Sequence, residues 1–298
     1  MSRPLSISSV NEDSRIVALG EVLWDLFADG ARFGGATANF ACHAARVGAK
    51  VSILSAVGFD ELGDRAVQIL EGFRVDVRCM QRIENVKTGA VGVQLDSLGK
   101  PTYEIHRDAA WDHVTWNSDL EAMIVPSTVV YFGTLGMRER CSRETYHRLL
   151  VTAREKQALR ILDINLRPPF YDATLIRECL QLCNVLKLSD EELPVVLQAC
   201  GIDRTQSTQD SLKELVGMWS LDLVALTRGS EGALLVTATE IVDQPGLKTT
   251  VVDTVGAGDA FTAALAFGLI SGADVCSLAE KACQVASDAC RHAGALPS

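Results

Sequence analysis

The chain has 298 residues with 28 basic and 38 acidic side chains, a net charge of −10. That length suits one large buried core, and the acid excess argues against nucleic acid, whose backbone demands clustered lysine and arginine. No run approaches the roughly 18 apolar residues of a membrane span, and residues 1–15 lack the apolar stretch of a signal peptide, so a soluble cytoplasmic protein that meets neither nucleic acid nor membrane is expected. Nine cysteines without a C-x-x-C pair, several at helical spacing (Cys179 and Cys183; Cys276, Cys283 and Cys290), read as buried free thiols in a reducing compartment.

In chain order, short β-rich runs alternate with amphipathic stretches. Strands are expected at 16–19, 51–56, 128–132, 160–164, 185–188, 223–227, 233–236 and 249–252, and helices at 38–47, 143–157 and 211–219 among others. This alternation implies a mostly parallel sheet with helices on both faces, whose ligands bind at the C-terminal strand ends. Two pieces break it. Residues 22–33 are irregular and extended, and 90–105 reads as a hairpin turning at Asp96-Ser97-Leu98-Gly99-Lys100. With neither linker nor repeat, one domain over 1–298 is expected.

The stretch Asp253-Thr254-Val255-Gly256-Ala257-Gly258-Asp259-Ala260-Phe261 carries the most chemistry. The β-branched run 249–252 enters it and the apolar run 260–270 leaves it, which predicts a strand turning into a helix. Gly256 and Gly258 lack the Cβ atoms that would hold a ligand off the backbone. The N–H groups of Gly256, Ala257, Gly258 and Asp259 then face an anion with about half a positive charge behind them. A carboxylate there repels phosphate, so Asp259 reads as a base for whatever attacks that phosphate. A tight turn capped by aspartate is the other reading. Phe261 stands where a dinucleotide fingerprint needs its third glycine, and no Gly-x-x-x-x-Gly-Lys-Ser/Thr loop is present.

These nine residues resemble the C-terminal signature of the ribokinase-like (PfkB-type) carbohydrate kinases, Asp-Thr-x-Gly-Ala-Gly-Asp-x-Phe. Gly34-Gly35-Ala36-Thr37-Ala38-Asn39-Phe40-Ala41, followed by Ala45-Arg46-Val47-Gly48, resembles the family's N-terminal signature, and the two stand in the family's order. The resemblance runs from about Ile16 to Ser298. It implies a ribokinase-like α/β fold in which 22–33 and 88–112 form a small β lid over the acceptor, and through which a homodimer could form. It implies Asp259 as general base, with Gly256, Ala257 and Gly258 as the anion hole. Gly34, Gly35 and Asn39 would bind the acceptor, as would Asp25 in Gly20-Glu21-Val22-Leu23-Trp24-Asp25, Arg107 on the hairpin, and Arg167.

Asp163-Ile164-Asn165-Leu166-Arg167-Pro168 resembles the fructokinase and 2-keto-3-deoxygluconate kinase branches. Asn165, Lys187 and the loop Thr227-Arg228-Gly229-Ser230-Glu231-Gly232 resemble nucleotide-binding elements, with Thr227, Gly229 and Gly232 beside the nucleotide. Glu192 matches the glutamate of an Asn-x-x-Glu element linked indirectly to magnesium, but Ser189 replaces its asparagine. Read on its own, Ser189 with Glu192 is a capping box. Gly294-Ala295-Leu296-Pro297-Ser298 resembles the element beside the adenine, where some relatives bind potassium. The resemblance therefore implies a sugar kinase using ATP and Mg2+, with K+ as a further cation and D-fructose as the preferred acceptor. The alternatives are 2-keto-3-deoxygluconate, whose carboxylate would pair with Arg107 or Arg167, and a non-catalytic kinase-fold binding protein.

Overall fold

The computed structural model describes residues 14–95 and 101–296. The expected turn at 96–100, residues 1–13, Pro297 and Ser298 lie outside the described residues. The chain begins with β1 (Arg15–Leu19), β2 (Leu23–Phe27), β3 (Gly30–Gly34), α1 (Ala36–Arg46), β4 (Val51–Leu54), β5 (Ala56–Gly58) and α2 (Glu61–Gly72). It continues with β6 (Gln81–Ile83), β7 (Gly89–Leu95), β8 (Pro101–Ile105), α3 (Asp119–Ala122), β9 (Thr128–Gly133), α4 (Arg140–Glu155), β10 (Leu159–Asp163) and α5 (Ala173–Leu182). The last third holds β11 (Val185–Ser189), α6 (Leu193–Cys200), α7 (Thr208–Trp219), β12 (Leu223–Thr227), β13 (Ala233–Val236), β14 (Ile241–Gln244), α8 (Ala257–Ile270) and α9 (Val275–Ala289).

Among the described residues, eight strands form one sheet in the order β14-β13-β12-β11-β10-β9-β1-β4. Pairing is parallel from β4 to β12 and antiparallel through β13 and β14. The apolar runs explain this placement, because a strand covered by helices on both faces has no polar side to show. Every residue of β9 and β10 is buried. One face packs residues of α4, α5, α6 and α7 against the sheet, the other those of α1, α2, α8 and α9.

Three sequence expectations change. Residues 249–252 are not a strand. The Val252 and Asp253 N–H groups both donate to the Cys290 carbonyl at the end of α9 (2.8 and 3.2 Å), and Val251 and Val252 are 58% and 60% exposed. β-branched residues favour strands only where a pleated neighbour packs them, and among the described residues no strand pairs with this run. The expected strand 51–56 divides at Ser55 into β4 and β5, which join different sheets. The nine cysteines are free, as expected, but Cys141 and Cys276 are exposed rather than buried; Cys276 and Cys283 share nearly one face of α9, but Cys276 lies exposed in its first turn while Cys283 packs inward.

The two irregular pieces pair with each other. β3-β2-β7-β8 is a separate four-stranded sheet, with β2 antiparallel to β3 and parallel to β7, and β7 antiparallel to β8. It leaves the main sheet directly after β1 and returns through β3 into α1, so whatever sits at the C-terminal end of β1 lies beside both sheets. Among the described residues no helix is long and apolar enough to cross a membrane.

Candidate active site

β1 has β4 on one side and β9 on the other, so the direction of strand addition reverses between β1 and β9. In open α/β sheets the crevice at the C-terminal end of such a reversal is where ligands bind. Glu21, Gly35 and Asn39 follow β1 and lie at this crevice. Gly35 precedes α1 with φ 100°, and a Cβ there would meet the Glu21 carbonyl oxygen at 2.9 Å. A Cβ on Gly34 would lie 2.8 Å from Asp25 Oδ2. Both glycines therefore leave room that a side chain would fill, and Asp25 points at the gap.

α8 begins on the far side of the crevice. Gly256 is its left-handed cap, with φ 79°, and a Cβ there would meet the Ala295 carbonyl oxygen at 2.6 Å. The Ala257 N–H, expected to face an anion, already donates to the Thr254 carbonyl at 3.2 Å. Asp259 stands in the first turn, and its Oδ2 accepts a hydrogen bond from Asn39 Nδ2 at 2.9 Å. The two family-like motifs meet here in one hydrogen bond. Burial first, then the Asp163 and Glu21 charges, push the Asp259 carboxyl up to about 7, against the Asn39 hydrogen bond and the Lys187 charge. A carboxyl tuned to the working pH is suited to accept and release a proton.

Beneath the α8 start lies a buried ion pair. Asp163 and Lys187 are register partners on β10 and β11, joined by a 3.0 Å contact from Nζ to Oδ1. Thr262 Oγ1 donates to the other Asp163 oxygen at 2.9 Å. Burial works against the Lys187 ammonium, but Asp163, Glu192 and Asp259 outweigh it and raise its pKa. Its Nζ would lie 3.2 Å from a Cβ on Gly258, so the missing side chain there leaves a fixed positive charge directly under the glycine loop. Glu21, 2% exposed, accepts from Thr37 Oγ1 at 3.2 Å. Burial raises the carboxyls of Glu21 and Asp25, and Arg167 opposes the shift in both. Arg167 thus stands near Glu21 and Asp25 and is exposed to solvent.

The remaining expected residues divide. Thr227 closes β12, its hydroxyl donating to the Leu188 carbonyl at 3.3 Å, and Gly229 is exposed on the loop beyond with φ 53°. Gly232 does not face that surface. It is buried, and a Cβ would lie 2.5 Å from the Gly246 nitrogen, so its role is to let two backbones pass. Asn165 follows β10 in a left-handed conformation (φ 38°). Both Glu192 oxygens accept backbone N–H groups, from Leu166 (2.7 Å) and Ser189 (2.8 Å), while Ser189 Oγ accepts from the Glu192 N–H at 3.3 Å. These reciprocal bonds are those of a capping box, and the carboxylate braces the Leu166 loop against β11. Among the described residues no three His, Cys, Asp or Glu side chains are grouped to hold a metal. Mg2+ fits this donor set only as an ion carried mainly by nucleotide phosphates and water.

Arg107 lies at the surface. Its side chain is 66% exposed, 3.9 Å from Glu139, and stacks over Phe170 at 4.9 Å. The buried arginine nearby is Arg138. It holds Asp112 with two bonds of 2.8 and 2.6 Å, donates to the His106 carbonyl at 2.7 Å, and stacks on Trp111 and Phe170. Sequence reasoning assigned no role to Arg138, Asp163, Glu21 or Thr262. The available signal was a charged residue at the end of an apolar run, which Glu21 and Asp163 both are.

The family description "pfkB family carbohydrate kinase" matches residues 6–298. A putative sugar kinase of Pyrococcus horikoshii is 30% identical over 299 residues, covering 94% of this chain and 91% of that protein. A probable chloroplastic fructokinase of Arabidopsis thaliana is 28% identical, covering 87% and 71%. The crystal structure of the P. horikoshii sugar kinase in complex with ATP superposes with a TM-score of 0.78 at 30% identity, covering 94% of this chain and 93% of that one.

Proposed function

Since this chain belongs to the pfkB family of carbohydrate kinases, we propose that it transfers the γ-phosphoryl group of ATP to a hydroxyl of D-fructose. The observation that carries the chemistry is Asp259, a carboxyl held near 7 in the first turn of α8, with the Lys187 ammonium below the same glycine loop. Asp259 takes the proton of the attacking hydroxyl as its oxygen bonds to the γ-phosphorus. The bond from that phosphorus to the bridging oxygen breaks, and its electron pair leaves with ADP. The N–H groups of Gly256, Gly258 and Asp259, together with Lys187, meet the charge that gathers on the phosphoryl oxygens. Mg2+ on the nucleotide phosphates would neutralise part of the same charge.

On the acceptor side, Asp25, Asn39 and the gap at Gly34 and Gly35 offer carboxylate, amide and backbone to a polyol, the mixture of donors and acceptors that hydroxyls require. The fructokinase relatives and the Asp-x-Asn-x-Arg-Pro segment favour fructose over other sugars. On the nucleotide side, Asn165, Thr227 and Gly229 would line the ATP. The second reading, 2-keto-3-deoxygluconate, has one observation behind it: Arg167 lies close enough to Asp25 and Glu21 to oppose the rise that burial causes in both, and so could meet a substrate carboxylate. A non-catalytic role fits poorly with an intact base and intact glycines. We place the protein in the reducing cytosol, which suits nine free cysteines, and propose that the four-stranded sheet acts as a lid able to pair between subunits.

The test is ADP release from Mg-ATP with fructose, 2-keto-3-deoxygluconate, ribose, tagatose and adenosine, with and without K+. Turnover on fructose is the expected result, and dependence on K+ would support a cation site at the 294–296 element. Turnover on the acid sugar alone would replace fructose, and bound ATP without turnover on any acceptor would overturn the kinase reading. In the Asp259→Asn variant ATP binding is expected to persist while kcat falls by about 10²–10⁴. Undiminished turnover there would remove Asp259 from the mechanism.

A further inference from the structure

We infer that Asn39 is a positioning residue for proton transfer: its Nδ2 occupies Asp259 Oδ2 at 2.9 Å and so leaves Oδ1 as the oxygen that receives the acceptor's proton. The inference rests on the kinase reading and assigns Asn39 an action on the base in addition to any contact with the acceptor. The direction of the amide follows from electrostatics, since turning it over would set two acceptor oxygens against each other. Among the described residues no other side chain donates to the Asp259 carboxylate. Asp163 from β10, Lys187 from β11 and Glu21 beyond β1 act on it through charge alone, while the Tyr131 phenol on β9, raised by burial and by the neighbouring carboxylates, stays neutral.

A second observation points to what completes the arrangement. Asn39 Oδ1 is buried and, among the described residues, has no hydrogen-bond partner, and the residue as a whole is 5% exposed. A desolvated acceptor without a donor costs free energy until something donates to it. Because Nδ2 and Oδ1 belong to one planar amide, a hydroxyl that reaches Oδ1 stands beside the carboxylate. An acceptor with adjacent hydroxyls satisfies both groups at once: one hydroxyl donates to Asn39 Oδ1, and its neighbour loses its proton to Asp259 Oδ1. Asn39 thereby couples recognition of a polyol to the orientation of the base, with Gly35 at the α1 start letting the helix sit close enough for the contact.

The experiment is titration of the Asp259 carboxyl by 13C NMR on the nucleotide-free protein, with Asp259→Asn to assign the signal. Loss of a hydrogen bond to the ionised form raises a carboxyl pKa, so the midpoint in Asn39→Ala is expected to rise by about one unit. The acid limb of kcat/KM moves up by the same amount, kcat at pH 7 falls about fivefold, and KM for ATP stays unchanged. Asn39→Leu, close in shape and without a donor, serves if Asn39→Ala melts too low to titrate. An unmoved midpoint and acid limb, with only the acceptor KM raised, would overturn the inference and leave Asn39 as an acceptor ligand. The NMR readout needs no acceptor, so a midpoint that moves in a protein that phosphorylates no sugar would defeat the kinase reading alone.

Discussion

Asp259 owes its raised pKa first to burial and then to Asp163, whose charge lies nearby on β10. Two consequences follow from that one shift. Only the ionised carboxylate can take a proton, so kcat/KM is expected to fall tenfold per pH unit below about 7 and to level off above it; a profile flat down to pH 5 would contradict the assignment. Stability carries the opposite sign from the usual aspartate. The folded state keeps its proton where the unfolded chain, near 3.8, has lost it, so stability falls as pH rises from about 4 through about 7. Asp259→Asn removes this cost, and the variant is expected to melt a few °C higher than the parent at pH 8, with the difference closing below pH 4. Calorimetry across that range checks it. A carboxylate that lowers stability at working pH and is nevertheless present is expected where function rather than folding selects the residue.

The start of α8 carries the candidate site, and the residues just before α4 anchor a neighbouring turn. Gly256 needs a left-handed backbone and touches Ala295, so Gly256→Ala combines a left-handed penalty of about 1–2 kcal/mol with a clash into the 294–296 segment. It is expected to lower the melting temperature and turnover together. Gly258→Ala has ordinary backbone and presses on Lys187 Nζ, so it is expected to lower kcat with little change in stability; the reverse pattern would show that Lys187 is not held under the loop for catalysis. At α4, Arg138 ties the 3-10 turn Ala110–His113 to the core through the buried Asp112 pair. Removing one member of such a pair strands a buried charge, so Asp112→Ala is expected to cost about 3–5 kcal/mol in denaturant unfolding. Replacing both members with Leu and Met should cost much less. At the same helix start Arg107 lies at the surface against Phe170 and near Glu139, while Arg138 takes the buried position.

Across the whole molecule, the second sheet meets the main one at the end of β1 and through the β3–α1 connection, and the proposed acceptor residues Asp25, Gly34, Gly35 and Asn39 all sit on that junction. A sheet that closes on the acceptor excludes water and suppresses transfer to it. ATP hydrolysis without an acceptor is therefore expected to be far slower than phosphorylation, and amide exchange in β2, β3 and β7 to slow when acceptor and nucleotide are both bound. Equal hydrolysis and transfer rates, with exchange unchanged, would mean that the second sheet is no lid.

The parallel core was legible because strands buried on both faces are written as apolar runs, and the α8 start because glycines before an apolar helix leave few other local structures. Residues 249–252 misled for the complementary reason: β-branching states a preference, and only a neighbouring strand can satisfy it. The sequence by itself determined the family, the ribokinase-like fold and the two motifs that meet at the crevice. Tertiary structure alone decided that Asn39 bonds to Asp259, that Asp163 pairs with Lys187 in register, that Gly232 is a packing glycine and that Arg138 rather than Arg107 is buried. Local chemistry is carried by residues near one another in the chain, whereas burial and charge pairing depend on strand order and register, which no short stretch of sequence contains.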